Sequence, residues 1–303
     1  MSKDTYLWGI DLGGTKIEGA VLPENSLTAP LCRIRIDTEA DQGYTHVINR
    51  IGKLIGMMEK DTGMTCDLIG IGTPGTTDPY SGLLKNSNST HLNGKPLKKD
   101  LEEATKKQFK MANDANCFAL AEARLGVVQD IKPDSSVVFG VILGTGVGGG
   151  VVINGKVLNG HQGIAGEWGH NFLDDSGGPC YCGNEVCVET IISGPALERY
   201  YKQLTGNSLK LRDIVQLRDS DAAAEKTIDR LVQYFGKGIA SVINVIDPEV
   251  IVLGGGVGNI PDLYVRGVEF AEKYAFNNRF DTRIVKPKLG DSAGVFGAAL
   301  LTV

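Results

Sequence analysis

Asp11-Leu-Gly-Gly-Thr15 is the first segment whose residue types could do chemistry. Backbone N–H groups freed by Gly13 and Gly14 can point at phosphate oxygens, and Thr15 adds a hydroxyl donor. Asp11 can hold Mg²⁺ through water, because Mg²⁺ keeps several of its own waters. A plain β-hairpin turn has the same composition, since Asp and Gly are common in turns.

Gly144-Thr-Gly-Val-Gly-Gly149 also fits the dinucleotide pattern G-x-G-x-x-G. That pattern needs a helix after the glycines, and Gly150-Val-Val-Ile153 reads as a strand. No G-x-x-x-x-G-K-[ST] occurs, which excludes a P-loop. The remaining fit is a nucleotide held between two glycine turns, one from each half. Gly254-Gly255-Gly256 follows an apolar run and could pass close to a base or ribose, because glycine lets backbone approach a ligand.

Cys180-Tyr-Cys182 and Cys187, with His170 upstream, form a Cys₃His set. Zinc takes such sets tetrahedrally, and a site with four protein ligands is structural. A redox pair is the competing reading. Cys32, Cys66 and Cys117 lie in apolar surroundings and read as buried free thiols. Asn113-Asp114-Ala-Asn116 precedes a helical pattern and has the residue types of an N-cap. Asn86-Ser-Asn-Ser-Thr-His91 reads as an exposed polar loop. Glu167, His170 and Glu189 flank the cysteine segment.

These residues need a scaffold, and 303 residues exceed one simple core. Hydrophobic residues make up 42% and charged residues 22%, a globular and not a disordered balance. The net charge is −5 with no basic run, so no nucleic-acid footprint is expected. The longest apolar runs, Val137–Leu143 and Val250–Leu253, are far short of a membrane span. Met1-Ser2-Lys3-Asp4 leads straight into a strand pattern without a signal peptide, which points to the cytoplasm. Forty glycines, about 13%, are roughly twice the usual ~7% and cluster at the ends of apolar runs.

The pattern predicts strand, turn, strand over Tyr6–Leu12 and Lys16–Leu22, then strands over Leu31–Ile36 and Leu68–Gly72. Val47, Ile48, Ile51, Leu54, Ile55 and Met58 form a helical stripe. Helices are predicted over Asp100–Phe109, Asn116–Leu125 and Ala222–Ile246, the last stopped by Asp247-Pro248. Val250–Leu253 reads as a strand, followed by a helix starting at Pro261. Asp291 is a candidate cap for a final helix, Ser292–Leu301. A shift of 131 residues lays Gly9, Leu12, Gly13 and Gly19 on Gly140, Leu143, Gly144 and Gly150. Asp11 then falls on Ile142, so only the first copy has a metal-binding carboxylate.

Taken together, the chain resembles the ROK family of sugar kinases. The resemblance is carried by Asp11–Thr15, Asn113–Asn116, Leu143–Gly149, Gly160–His170, Cys180–Glu189 and Gly254–Val257, in family order along nearly the whole chain. One departure is visible: the family usually has glycine before its last cysteine, and here that residue is Val186. The resemblance implies an α/β, actin/hexokinase-like (ribonuclease H-like) ATPase fold of two domains with an interdomain cleft. The expected small domain is 1–115 plus 291–303. The expected large domain is 116–290, with the zinc-binding segment. The loop from Lys85 to Gly94 and Gly166–Asn171 look most like fructokinase members. Leu143–Gly149 and Asn113–Leu120 look equally like N-acetylglucosamine kinases.

The implied reaction is ATP-dependent phosphorylation of a hexose at its 6-hydroxyl, with fructose first, mannose or glucose beside it, and an N-acetylglucosamine or N-acetylmannosamine kinase or a glucokinase as alternatives; a non-catalytic sugar-sensing regulator is the alternative of a different class. Asp114 would be the general base. Gly75, Asn88, Asn113, Asp114, Glu167, His170 and Glu189 would bind the sugar. Asp11, Gly13, Gly14, Thr15, Lys16, Gly144, Thr145, Gly146 and Gly254, Gly255, Gly256 would hold Mg·ATP. His170, Cys180, Cys182 and Cys187 would hold structural zinc, with the second nitrogen of His170 turned to the sugar. A homodimer is implied, with no nucleic-acid or membrane partner. The family's repressors carry a DNA-binding helix-turn-helix before the first glycine turn, and Asp11 comes too early to leave room for one.

Overall fold

The computed structural model describes residues 5–303. The reading of Met1 to Asp4 lies outside the described residues. In chain order the strands are β1 (Tyr6–Leu12), β2 (Lys16–Pro23), β3 (Cys32–Asp37), β4 (Leu68–Thr73), β5 (Thr76–Thr77), β6 (Leu84–Lys85), β7 (Gln108–Asn113), β8 (Val137–Leu143), β9 (Val147–Ile153), β10 (Lys156–Val157), β11 (Val250–Gly254) and β12 (Arg283–Val285). The helices are α1 (Tyr44–Thr62), α2 (Leu97–Thr105), α3 (Asp114–Arg124), α4 (Val127–Ile131), α5 (Val188–Ile192), α6 (Gly194–Thr205), α7 (Leu211–Leu217), α8 (Ala222–Ile246), α9 (Gly255–Gly258), α10 (Arg266–Tyr274) and α11 (Ala293–Leu300).

The first of two compact units holds the described residues up to Gln129, with Gly150–Ala165 and Leu289–Val303. Its sheet runs β3-β2-β1-β4-β7. The first three strands pair antiparallel, and β1, β4 and β7 run parallel. The apolar stripe expected on α1 is the stripe it buries, from Val47 to Met58. The last helix, α11, packs against α3, β1 and β4. A side chain at Gly9 or Gly70 would collide with its backbone, so part of the glycine excess serves helix–sheet packing and not ligands.

The second unit comprises Asp130–Gly149 and Gly166–Lys288. β11 pairs in parallel with β8 on one side and β12 on the other. α8 carries α5, α6, α7 and α10 against it. Its N-cap Asp221 accepts the amides of Ala223 at 2.7 Å and Ala224 at 3.4 Å. It ends where expected, with Asp247 at φ 43° ahead of Pro248.

The internal echo is structural. Adding 131 to the bounds of β1 gives the bounds of β8, and adding it to Lys16, the first residue of β2, gives Val147, the first of β9. Several sequence expectations need correction. The helix expected to Phe109 stops at Thr105, where Lys106 turns left-handed, and Gln108–Asn113 forms strand β7 beside β4. Phe109 and Ala112 are its buried residues, too few to show a strand period. From Gly255 the chain makes only a short turn of helix, then a 3₁₀ turn at Pro261–Tyr264, before α10. Asp291 lies inside a 3₁₀ turn, and no side chain caps α11. The unit boundary falls at Gln129 instead of 115, because α3 packs on α11. Among the described residues no helix is long and apolar enough to cross a membrane.

Candidate active site

In the first unit, Asp11 lies near the end of β1 and the turn after it is held from β3. The Gly13 amide donates to Lys16 O at 2.9 Å. The buried Thr38 closes the turn twice: its hydroxyl donates to Gly13 O at 2.8 Å, and its amide donates to Thr15 O at 2.8 Å. These bonds use carbonyls and leave Gly14, Thr15 and Lys16 exposed. Thr38 escaped the sequence reading, since nothing marks it beyond its place after a strand. A Cβ on Gly14 would lie 3.5 Å from Ser89 Oγ, so this turn and the loop of Asn88 are neighbours within the unit.

Gly72 on β4 and Gly294 in α11 leave room for the Asp11 carboxylate, which a Cβ at either place would crowd. Its pKa is pushed up to about 7, by burial first, then by the charges of Asp114 and Glu18, while Arg35 pulls it down. Glu18 is itself buried and paired with Arg33 and Arg35.

Asp114 is the first residue of α3, at the C-terminal end of β7. Asn113 caps the helix as its residue type suggested: Asn113 Oδ1 accepts the Ala115 amide at 2.8 Å, and Asp114 Oδ1 accepts it at 2.8 Å. Asp114 is exposed as a residue, but the protein packed around its carboxyl desolvates it and pushes its pKa up, while the Ala115 amide and the Asn113 side chain pull it down. Cys117 feels the charge of both Asp11 and Asp114, and burial raises its thiol far out of the reactive range. The unit therefore brings the two chemistry-bearing aspartates into one electrostatic neighbourhood.

Asn113 Nδ2 donates to Gly75 O at 3.4 Å. Gly75 has φ 79°, and a Cβ there would press on Ser87. Asn88 is exposed on the loop after β6. Asn93 fixes that loop, accepting the Ser87 amide and donating to Ser87 O, both at 2.9 Å. Cys32 and Cys117 are buried as expected, but Cys66 is only partly so.

In the second unit, Gly144 N–H donates to Gly146 O at 2.9 Å, and Gly194 N–H donates to Gly144 O at 2.9 Å. Thr145 at the tip is exposed. Glu189 accepts the Val147 amide at 2.9 Å through Oε2, so one oxygen of this expected sugar ligand braces the glycine turn. Gly255, at φ 83°, packs on the backbone of Leu143. The three glycines expected at the nucleotide thus lie beside the end of β8. Trp168 donates from Nε1 to Gly148 O at 3.1 Å and meets Phe139 edge-on, which pins the turn carrying Glu167 and His170. Glu167 is partly buried there.

His170, Cys180, Cys182 and Cys187 each offer a donor atom within 4.8 Å of the others. His170 Nδ1 is 3.6 Å from Cys180 Sγ, and the Sγ atoms of Cys182 and Cys187 are 3.7 Å apart. Tetrahedral zinc, with bonds of about 2.0–2.3 Å, separates a nitrogen from a sulfur by roughly 3.5 Å and two sulfurs by roughly 3.8 Å. The residues fit the ion. Cys187 is pushed up to about 12, by burial first and then by the neighbouring thiols. Its proton must leave when a metal binds, so affinity rises with pH. Val186, just before it, has φ 59°, a left-handed conformation rare for a β-branched residue. Tyr181 was missed in the sequence: its hydroxyl is 3.2 Å from His170 Nε2.

The profile of the ROK family matches residues 7–303. The chain belongs to the ROK family. An N-acetyl-D-glucosamine kinase of Aliivibrio salmonicida is 36% identical to this ROK chain over 307 aligned residues, which cover 98% of it and 99% of the relative. A ROK hexokinase from Thermus thermophilus, 34% identical, superposes with a TM-score of 0.87, covering 98% of this chain and 97% of that one. A ROK glucokinase from Streptomyces griseus, solved with glucose and AMPPNP, is 27% identical with a TM-score of 0.79, covering 98% and 99%. The fold is the mixed α/β, actin/hexokinase-like ATPase fold of these ROK kinases.

Proposed function

We propose that this ROK chain transfers the γ-phosphoryl group of ATP to the 6-hydroxyl of a hexose, with N-acetyl-D-glucosamine as the preferred acceptor. The observation that carries this reading is the end-to-end likeness to N-acetyl-D-glucosamine kinases at 36% identity. It outweighs the local likeness of Lys85–Gly94 and Gly166–Asn171 to fructokinases, and fructose becomes the second acceptor.

The chemistry follows from the residues. A sugar hydroxyl is a poor nucleophile, and the carboxylate of Asp114, exposed to solvent and substrate at the start of α3, accepts its proton as the oxygen attacks phosphorus. Partial desolvation by the surrounding protein raises the Asp114 carboxyl, which makes it a stronger base once ionised. Asn113, Asn88, Gly75, Glu167, His170 and Glu189 orient the sugar hydroxyls. Gly13, Gly14, Thr15, Lys16, Gly144, Thr145, Gly146 and Gly254–Gly256 are the residues assigned to the nucleotide. Asp11 would hold Mg²⁺ through water, and the ion would neutralise charge on the phosphates. His170, Cys180, Cys182 and Cys187 would hold zinc, which would fix the geometry of their loop and leave the remaining nitrogen of His170 for the sugar.

The test is product identity. Incubation with Mg·ATP and N-acetyl-D-glucosamine, followed by ³¹P NMR, should give ADP and a phosphomonoester coupled to the protons on carbon 6. A product phosphorylated at carbon 1, or ADP with inorganic phosphate alone, contradicts the reading.

A further inference from the structure

Tyr181 stands between two of the metal-binding cysteines in sequence, and its side chain is exposed, at 65%. Its hydroxyl lies 3.2 Å from His170 Nε2, and the two rings meet at 87° with centroids 5.2 Å apart. The other ring nitrogen, Nδ1, faces Cys180 Sγ at 3.6 Å. A neutral imidazole has one proton and one lone pair to offer. With Nδ1 turned to the thiols as a metal ligand, the proton is on Nε2, and Nε2 can only donate. Tyr181 Oη is then the acceptor of the single hydrogen bond that His170 has left to give.

The charges of Glu189 and Glu167, both assigned above to the sugar, act on the Tyr181 phenol. We propose that Tyr181 is a substrate-site residue that takes the place of a sugar hydroxyl on His170 Nε2 in the sugar-free protein and releases it when the hexose binds. This rests on the reading of His170 as a sugar ligand. One N–H cannot serve two acceptors at full strength, so tyrosine and sugar compete. The tyrosine can leave: it is exposed, on a tight turn in which the Gly183 amide donates to Cys180 O at 3.1 Å. It therefore weakens the binding of any hexose by the weight of its own hydrogen bond. A sugar whose hydroxyl reaches Nε2 squarely overcomes that competition, and a sugar that does not is penalised.

The experiment is calorimetric sugar binding without nucleotide, on zinc-loaded wild type and Tyr181→Phe. The variant should keep one zinc per chain and bind N-acetyl-D-glucosamine about 2- to 10-fold tighter, the weight of one neutral hydrogen bond. KM for sugar should fall alongside, with kcat within about twofold. Tyr181→Ala, which removes the ring as well, should show the same gain. Unchanged or weaker sugar binding, or loss of zinc from both variants, overturns the proposal and makes Tyr181 a support for the loop. ¹⁵N NMR of His170 in wild type separates the two readings. If sugar moves the Nε2 signal while Tyr181→Phe changes nothing, the competition is absent and His170 still binds sugar. If sugar leaves Nε2 unmoved, the sugar role of His170 fails, and the proposal fails with it.

Discussion

Glu189 accepts the Val147 amide at 2.9 Å, which ties the start of α5 to the second glycine turn. Cys187 is two residues earlier, so the metal loop and the Gly144–Gly146 turn are mechanically linked within one unit. A metal held by the Cys₃His loop would therefore act on the Gly144–Gly146 turn as well as on its own loop. Glu189→Ala should raise KM for ATP as well as for sugar, each by roughly 10-fold, since a buried amide loses its acceptor at about 1–3 kcal/mol. Steady-state kinetics with each substrate varied in turn checks this. A change confined to the sugar KM would mean that the carboxylate binds sugar and does not brace the turn.

Asp114→Asn keeps the shape at the start of α3 but cannot take a proton. kcat should fall by about 10²–10⁴, with sugar and ATP affinities little changed. In wild type the acid limb of the kcat/KM profile should lie above the ordinary carboxylate range, because desolvation raises Asp114. Activity is lost as pH falls through that limb. A variant keeping more than about a tenth of wild-type kcat, or an acid limb near pH 4, would point to another base.

Asp11 stores a cost that its replacement should reveal. Its folded pKa, about 7, is raised above that of an unfolded carboxylate. The native state therefore binds more protons than the unfolded state between those two values, and stability falls as pH rises through that window. Asp11→Asn, which cannot ionise, should melt a few degrees above wild type at pH 8 in EDTA without nucleotide. The gap should close below pH 4. The same variant should lose Mg·ATP binding. Equal melting at both pH values would contradict the burial argument.

Val186 occupies a left-handed conformation, φ 59°, where the family usually has glycine. The conformation is held by backbone bonds: Val186 N–H donates to Gly178 O at 2.7 Å and Leu173 N–H donates to Val186 O at 3.0 Å. Such strain costs of order 1–3 kcal/mol, partly offset by the greater freedom of glycine in the unfolded chain. Val186→Gly should raise Tm by roughly 2 °C and slow zinc loss to a chelator. A lower Tm would show that the valine side chain contributes more through packing than the strain removes.

The most legible features were those with a strong period or a fixed residue type. The α1 stripe and the length of α8 could be read directly. The echo between β1 and β8 was legible because both strands must end at a glycine turn. The Cys₃His set was legible because ligand chemistry restricts residue types, whatever the fold around it. β7 was not, because its half-buried alternation is short and follows a helix with no proline between them. Thr38, Asn93 and Trp168 hold the turns by one or two hydrogen bonds each from ordinary positions, which no spacing announces. Tyr181 stood in plain view, but its role depends on which way the His170 ring is turned, and only coordinates give that.

The reading as a hexose kinase preferring an amino sugar is tested most directly by ADP release from Mg·ATP, coupled to a reporter, across N-acetyl-D-glucosamine, N-acetyl-D-mannosamine, glucose, mannose and fructose. N-acetyl-D-glucosamine should have the highest kcat/KM, by at least about 10-fold over fructose, the scale set by a few correctly paired hydroxyl and amide contacts. A higher kcat/KM for fructose would overturn the acceptor assignment, and no sugar-dependent ADP release from zinc-loaded protein would contradict the kinase itself.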